Sequence, residues 1–152
     1  MIPKKFFVTS GKATSPISEL NAFDLALKEA GIAQCNLVYV SSVLPPNCEE
    51  VELEPIPIGA ITYVVMSKMN SPGGEKISAG TAWSFGKGNG YGIVAEAHGH
   101  TDERALKRTL ESRIREMAEA RNIEADKISY RIETLDVPIG NYGCVIAALV
   151  YL

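Results

Sequence analysis

The sequence has 152 residues and a formal net charge of -3, with 46% hydrophobic and 22% charged residues. Such a chain is long enough to bury a core as a single domain, residues 1–152, and it has no basic run that would favour nucleic acid or an anionic membrane as a partner. Its apolar stretches are strand-sized, which argues against a transmembrane helix, and its first residues lack the apolar run of a signal peptide. The scattered cysteines Cys35, Cys48 and Cys144 fit neither a disulfide framework nor a metal motif, so we expect a reducing, cytoplasmic setting.

The first part of the chain predicts two strands separated by one helix. Residues 6–9 have the composition of a short strand, and residues 10–16 that of a loop. Ser18 is a good N-cap for a helix that runs to about Ala30, and Gly31 should end it. The β-branched residues of 36–43 predict a buried strand, and a Pro-rich, acidic connector follows over residues 44–60.

The remainder predicts strands over residues 60–66, 77–85 and 91–97, then a helix over 102–121 capped by Thr101 or Asp102. Apolar residues recur in that helix at helical spacing: Leu106, Leu110, Ile114, Met117 and Ala118. Two closing strands are expected at 127–135 and 144–152, and the second is apolar enough for both its faces to be buried. About seven strands and two amphipathic helices indicate an α+β fold whose sheet surfaces are covered by helices.

Two short motifs have competing explanations. The segment GKGNGYG, residues 86–92, lacks the third glycine of the dinucleotide-binding pattern, and a hairpin turn explains it better. The segment HGHTD brings His98, His100 and Asp102 close together in sequence. That is a weak signal for a divalent metal; a polar junction between a strand and a helix is the favoured explanation, so we expect no metal.

Two carboxylates occupy unexpected positions. Asp24 lies four residues after Leu20 and three before Leu27, which places it on their face of the predicted helix. It either meets water or a lysine at the edge of the apolar stripe, or it binds a cationic ligand. Glu96 alternates with Val94 along a predicted strand. If that face is buried, its carboxyl has a raised pKa and can serve as a general acid; on a solvent-facing side it is an ordinary surface residue.

The segment NLVYVSSVLPP, residues 36–46, ends a predicted strand in two adjacent hydroxyl groups. Pro45 and Pro46 have no N–H to donate to a sheet, so no central strand continues through them. Ser41 and Ser42 therefore lie at the point where strand pairing has to stop.

Four segments taken in order, LNAFDLALKEAGI, NLVYVSSVLPP, IPIGA and YGIVAE, resemble the pyruvoyl-dependent arginine decarboxylase family over residues 20–96. The resemblance implies that the chain cuts itself between Ser41 and Ser42 into residues 1–41 (β chain) and 42–152 (α chain), and that Ser42 becomes a covalent pyruvoyl group. It also implies a lyase that converts L-arginine to agmatine and carbon dioxide through a Schiff base and feeds polyamine synthesis.

The same resemblance assigns roles to single residues. Ser42 would be the nucleophile of the cut, Glu96 the proton donor in catalysis, and Asn36 would help set up the cut and hold the pyruvoyl region. Asp24 would bind the substrate guanidinium, and Leu27 would line the pocket.

For the fold, the resemblance implies a single domain in which a sandwich of two sheets is flanked by helices, in αββα layers. It implies homotrimers of the cleaved chain pair, or a dimer of such trimers, with active sites between neighbouring subunits. One position departs from the family pattern. A further acidic residue commonly follows the proton-donor glutamate closely, whereas Ala97 and His98 follow Glu96 here.

Two other functions remain open at this stage. The first is a pyruvoyl decarboxylase for another amino acid, although the charge of Asp24 would repel an acidic substrate. The second is an unprocessed paralogue that binds a cationic amine without cutting itself. The serine pair together with Glu96 favours the enzyme, because a binding protein needs neither.

Overall fold

The computed structural model describes residues 1–88 and 90–152, and within them the chain forms nine strands and two helices. In chain order these are β1 (Lys5–Ser15), α1 (Glu19–Glu29), β2 (Asn36–Tyr39), β3 (Val43–Leu44), β4 (Glu49–Glu50), β5 (Ile61–Pro72), β6 (Lys76–Phe85), β7 (Gly92–Gly99), α2 (Glu103–Ala120), β8 (Ser129–Asp136) and β9 (Tyr142–Tyr151). Neither helix in this part of the chain is long and apolar enough to cross a membrane.

The strands form two sheets. The first has five strands in the order β2-β5-β9-β1-β4, in which β9 is antiparallel to both β5 and β1, and the short edge strands β2 and β4 run parallel to their neighbours. The second sheet has four strands in the order β3-β7-β6-β8, all antiparallel. The hairpin expected around GKGNGYG is confirmed by the pairing of β6 with β7; Asn89, inside that motif, lies outside the described residues.

The two sheets pack face to face and each carries one helix on its outer surface. Helix α1 packs on the five-stranded sheet through a cluster that includes Ala22, Ala26 and Ile146. Helix α2 packs on the four-stranded sheet, where Leu110 and Ala95 belong to one cluster. The layers are therefore α1, five-stranded sheet, four-stranded sheet and α2, which confirms the α+β sandwich with αββα layers.

Strand β9 lies at the centre of the five-stranded sheet, and both of its faces are buried as its composition predicts. Cys144 and Ile146 point to the α1 side, whereas Leu149 and Tyr151 belong to the cluster between the sheets. A strand covered on both faces has no solvent-facing side, which explains its continuous apolar sequence.

The prediction of a loop at residues 10–16 is wrong for most of that segment. β1 continues to Ser15, and its pairing with β9 runs from Phe6 opposite Tyr151 to Ser15 opposite Tyr142. Ser10 and Gly11 look like loop residues locally, but a long apolar partner strand extends the ladder over them. Gly11 also has a packing role, because a β-carbon there would overlap the carbonyl oxygen of Ala26 in α1.

Both predicted helix starts are confirmed by their caps. The Ser18 side chain accepts a hydrogen bond from the Asn21 N–H at 3.0 Å, and Asp102 accepts one from the Ala105 N–H at 2.8 Å. Gly31 follows α1 with a φ of +79°, a left-handed conformation that ends helices. Four of the five apolar residues predicted to face inward from α2 are buried, and Met117 is half-buried.

Candidate active site

The segment around Ser41 and Ser42 carries the chain from one sheet to the other. β2 pairs with β5 as far as Tyr39, and the Val40 N–H still donates to the Val64 carbonyl at 3.1 Å. Three residues later β3 begins in the four-stranded sheet, with Val43 opposite Ile93 of β7. The prediction of a single strand over residues 36–43 is therefore wrong, because the segment contains β2 and the start of β3. Strand pairing stops at the serines because they form the crossing between the two sheets.

Backbone hydrogen bonds hold this crossing in a defined shape. The Val43 N–H donates to the Ser41 carbonyl at 3.2 Å, which closes a three-residue turn centred on Ser42. The Val94 N–H donates to the carbonyl of Ser42 at 3.0 Å and so attaches the same turn to β7. Ser41 is exposed and Ser42 is half-buried. The carbonyl carbon of Ser41 consequently lies next to the Ser42 side chain, with a donor already on its oxygen.

A groove of about 370 Å³ lies beside the turn, lined among others by Val40, Ser41, Val43, Tyr63 and Tyr151. The Tyr151 hydroxyl donates to the carbonyl of Val43 at 2.9 Å. Sequence reasoning did not select Tyr151, because in the sequence it is only one more large residue in a buried strand. Its contact with the crossing depends on the packing of β9 against β3.

Glu96 lies on β7 two residues beyond Val94 and on the same strand face, which separates their Cα atoms by about 7 Å. Val94 is fully buried, but Glu96 is exposed in the single chain, so the inference that a buried Val94 face would also bury Glu96 is wrong. The physical reason is the length of β3. It pairs with β7 only at Gly92 and Ile93, and Ser42 adds one bond to Val94, so that edge of β7 is uncovered beyond Val94.

Neighbouring groups still perturb the Glu96 carboxyl. Partial burial among protein atoms raises its pKa above the ordinary value, and the nearby charges of His98 and Arg113 oppose that rise. Arg113, from α2, also donates a hydrogen bond to the backbone carbonyl of Glu96. Desolvation raises the pKa of Tyr39, and the charge of Glu96 adds to that rise, so the carboxyl lies close to the end of β2. A carboxyl with a raised pKa, two residues along β7 from the N–H that binds the Ser42 carbonyl, is suited to proton transfer.

Thr81 is a second residue that sequence reasoning missed. It lies on β6 directly opposite Glu96, and it is completely buried. Its hydroxyl has no hydrogen-bond partner within residues 1–88 and 90–152. A buried hydroxyl without a partner is uncommon and unfavourable. The only signal in the sequence was a threonine in an otherwise small and apolar stretch.

The stripe that Asp24 shares with Leu20 does not face inward, and of the two alternatives for this carboxylate a single chain shows the water-exposed one. Leu20 is 73% exposed and Asp24 is exposed, whereas the buried residues of the helix are Ala22 and Ala26. The alanines face inward because Gly11 and the short alanine side chains let the helix approach the sheet closely. In a single chain, Asp24 therefore meets water.

Asn36 also lies away from the serine pair. Its side-chain amide donates to the Gly59 carbonyl at 2.9 Å, in the turn that precedes β5. It begins β2, and Ser41 lies beyond the other end of that strand. Leu27 is half-buried in the cluster under α1, near Leu37 of β2. Within one chain, β7 links Glu96 to the turn that holds Ser41 and Ser42. The contacts of Leu27 and Asn36 are with other parts of the chain, and Asp24 is exposed.

The two histidines have ordinary surroundings. His100 Nδ1 lies 3.5 Å from Glu75 Oε2, and both side chains are about half exposed. Across residues 1–88 and 90–152, no three His, Cys, Asp or Glu side chains come close enough together to hold a metal ion.

Comparison with known proteins gives matches over the whole chain. The family described as pyruvoyl-dependent arginine decarboxylase (PvlArgDC) matches residues 5–152. A pyruvoyl-dependent arginine decarboxylase of Methanopyrus kandleri is 33% identical over 152 residues, which cover 99% of this chain and 97% of that protein. The protein of the same name from Methanothermobacter thermautotrophicus is 35% identical over 153 residues, covering 100% of this chain and 99% of the relative.

A solved structure resembles the same fold. It is that of a pyruvoyl-dependent histidine decarboxylase at pH 8, with a TM-score of 0.52 and 16% sequence identity. The match covers 64% of this chain and 52% of that enzyme's chain, so it extends over about half of the larger protein. At this identity the likeness concerns the fold, and it agrees with the two-sheet sandwich.

Proposed function

The chain belongs to the pyruvoyl-dependent arginine decarboxylase family, and we propose that it converts L-arginine to agmatine and carbon dioxide with a pyruvoyl group made from its own Ser42. The observation that carries this proposal is the turn between the two sheets. There the Ser41–Ser42 bond lies in a three-residue turn tied to β7, with Glu96 two residues further along the same strand.

The first reaction is self-cleavage between Ser41 and Ser42. The Ser42 Oγ attacks the carbonyl carbon of Ser41; a C–O bond forms, the C–N bond breaks, and the hydroxyl proton ends on the nitrogen of residue 42. Loss of the Cα proton of residue 42 then expels the carboxylate of Ser41 and leaves dehydroalanine. Water hydrolyses its imine tautomer to the ketone and releases ammonia. The Val43 N–H favours the attack, because it donates to the oxygen on which negative charge develops.

The residues present fit a pyruvoyl group at position 42. The carbonyl oxygen of residue 42 accepts the Val94 N–H at 3.0 Å, which holds the amide that would adjoin the ketone. When present, the group supplies an electron-withdrawing ketone that makes loss of carbon dioxide from an amino acid possible. Glu96 then gives a proton to the substrate carbon that has lost its carboxylate, and its raised pKa favours the protonated form that this role needs.

Substrate recognition is assigned to Asp24, with Leu27 lining the pocket and Asn36 helping to hold the region around residue 42. A carboxylate forms two parallel hydrogen bonds with a guanidinium, which favours arginine over lysine. These three residues lie apart from Ser42 in one chain, and this supports a site completed by a second chain.

A homotrimer of cleaved chain pairs is therefore part of the proposal, with a dimer of trimers as the larger alternative. Its support is the exposed apolar surface at the edge of the five-stranded sheet, along β2 and the start of β5: Val38 is 38% exposed, Tyr39 60% and Ile61 66%. Apolar side chains grouped in this way are typical of a surface that another subunit covers. The free cysteines support a cytoplasmic location.

Intact-mass measurement of the purified protein tests the cut. Cleavage should give one fragment ending at Ser41 and one beginning at residue 42 with a ketone that reacts with phenylhydrazine. Ser42→Ala should stay as one chain of full length. A free serine amine at the start of the second fragment would refute the pyruvoyl group, and an uncut wild-type chain would favour an amine-binding protein.

Assays with other amino acids test the second alternative, a pyruvoyl decarboxylase with a different substrate. Release of carbon dioxide from arginine should far exceed that from lysine, ornithine, histidine and aspartate. Faster turnover of any of these by the cleaved protein would overturn the assignment of arginine.

A further inference from the structure

We infer that Tyr151 is a positioning residue for the self-cleavage between Ser41 and Ser42, acting through the carbonyl of Val43. The inference rests on the proposed self-cleavage and adds to it a side chain from the far end of the sequence. Tyr151 comes from β9 and lies 108 positions after Val43, and its hydroxyl donates to the Val43 carbonyl at 2.9 Å.

Three consecutive carbonyls of the turn accept one hydrogen bond each. Ser41 accepts from the N–H of Val43 at 3.2 Å, Ser42 from the N–H of Val94 at 3.0 Å, and Val43 from the hydroxyl of Tyr151 at 2.9 Å. The first bond lies within the turn, the second comes from the backbone of β7, and the third comes from a side chain of β9. Tyr151 thus restrains the peptide plane that follows Val43, just as Val94 restrains the plane before it.

This restraint matters because the Val43 N–H is the donor on the carbonyl that Ser42 attacks. A donor in a fixed place stabilises negative charge on that oxygen without having to reorient during the reaction. The Val43 N–H lies in the peptide plane between Ser42 and Val43, which the Val94 bond holds. The Tyr151 bond fixes the plane on the other side of the Val43 Cα, and so limits rotation of the N–H about that residue. Small displacements of this kind are costly in rate.

Tyr151 is well suited to hold one position. It is only 7% exposed, and its ring belongs to the cluster between the sheets together with Leu44, Trp83 and Val94. Burial raises the pKa of its phenol to about 12, and the Cys48 thiol adds a smaller effect in the same direction. The Tyr63 phenol and Met1, at the amino terminus, line the same groove. The Tyr151 phenol therefore stays protonated around neutral pH and acts as a donor to the carbonyl.

The test compares Tyr151→Phe with Tyr142→Phe in the full-length chain. Tyr151→Phe keeps the ring and removes the hydroxyl, and Tyr142→Phe makes the same change at the other end of β9, at a residue that is 39% exposed. Chains are labelled during a short cell-free synthesis, and the precursor is followed on a denaturing gel. We expect Tyr151→Phe to be cut about fivefold more slowly, the factor for one net hydrogen bond, and Tyr142→Phe to be cut at the wild-type rate.

Hydroxylamine separates the step that is affected. It cleaves esters, so it releases the fragment that ends at Ser41 from any chain that has completed the attack by Ser42. If Tyr151 positions the turn for that attack, the uncut Tyr151→Phe precursor should resist hydroxylamine. Cleavage of Tyr151→Phe at the wild-type rate, or an accumulated precursor that hydroxylamine cuts, would overturn the inference.

A second substitution avoids the loss of the hydroxyl. Difluorotyrosine at position 151 keeps the ring and the donor but ionises at lower pH. Its cleavage rate should fall as the pH rises through the pKa of that phenol, because a phenolate cannot donate, while the wild-type rate stays unchanged over the same range. Identical pH profiles would overturn the inference. An uncut wild-type chain would instead overturn the self-cleavage itself.

Discussion

Replacing Glu96 by Gln should abolish most of the turnover and leave the self-cleavage intact. The substitution keeps the size of the side chain and removes its transferable proton. A positioned general acid typically contributes a factor of about 10²–10⁴ in rate, so kcat should fall by that range while KM changes less. Self-cleavage should continue, because the substitution leaves unchanged the groups assigned to it, which are the Ser42 hydroxyl and the backbone N–H groups of Val43 and Val94.

The position of Glu96 sets how far the acid has to reach. Its Cα is about 7 Å along β7 from Val94, whose N–H holds the carbonyl of residue 42. Proton transfer needs a heavy-atom separation of about 2.6–3.2 Å, so the side chain has to span most of the remaining gap. Glu96→Asp keeps the acid but shortens the side chain by one C–C bond, about 1.5 Å. A displacement of that size costs on the order of 10²-fold in rate, so Glu96→Asp should also be strongly impaired.

The assay is carbon dioxide release from arginine, expressed per cleaved chain so that incomplete maturation does not count as lost catalysis. The cleaved fraction comes from intact mass. If Glu96→Gln turns over at nearly the wild-type rate per cleaved chain, Glu96 is not the proton donor, and His98 becomes the candidate. If Glu96→Gln remains uncut, the carboxyl also acts in self-cleavage, and the assignment of Glu96 to catalysis alone is wrong.

Three further outcomes are expected. Arg113→Met removes a positive charge that lowers the pKa of Glu96. Because a general acid works only while it is protonated, the pH at which kcat falls on the alkaline side should become higher. An unchanged or lower midpoint would contradict this. Thr81→Val removes a buried hydroxyl without a partner and should stabilise the fold by about 1 kcal/mol, which corresponds to a rise of roughly 2–4 °C in melting temperature. A lower melting temperature would show that the hydroxyl has a hydrogen-bond partner. Asp24→Asn should reduce kcat/KM for arginine by about 2–5 kcal/mol and spare the cut; an equal loss with uncharged citrulline would show that Asp24 does not contact the guanidinium.

Local features of the sequence were enough for the two helices, for the central strand β9 and for the chemistry of the serine pair. Ser18 and Asp102 cap their helices through their own side chains, and the apolar residues of α2 repeat at the helical period, so both helices are specified locally. The unbroken apolar run of β9 required a strand covered on both faces. The serine pair before two prolines, set among segments of one family, indicated the pyruvoyl-dependent arginine decarboxylase family that the comparisons also show.

The tertiary structure decided which faces are buried and which groups meet. Asp24 looked inward in the sequence of α1, but Gly11 lets the alanine face approach the sheet instead, and that close approach depends on a residue in another element. Glu96 looked buried through its alternation with Val94, but the short β3 leaves its edge of β7 uncovered. The alternation of side chains along a strand assigns each residue to one of two faces, but it does not show how far along the strand a neighbouring element covers that face.

The position of Ser41 and Ser42 between the two sheets could not be predicted from the sequence. A run of β-branched residues predicts extended structure. Nothing in the local sequence shows whether the run forms one strand or two short strands, the first paired with β5 and the second with β7. The donors on the turn come from Val94 and Tyr151, which lie 52 and 108 positions beyond the carbonyls they bind. Hydrogen bonds between such distant residues exist only after the two sheets have packed, so the sequence by itself determined the reactive pair and the fold determined what holds it.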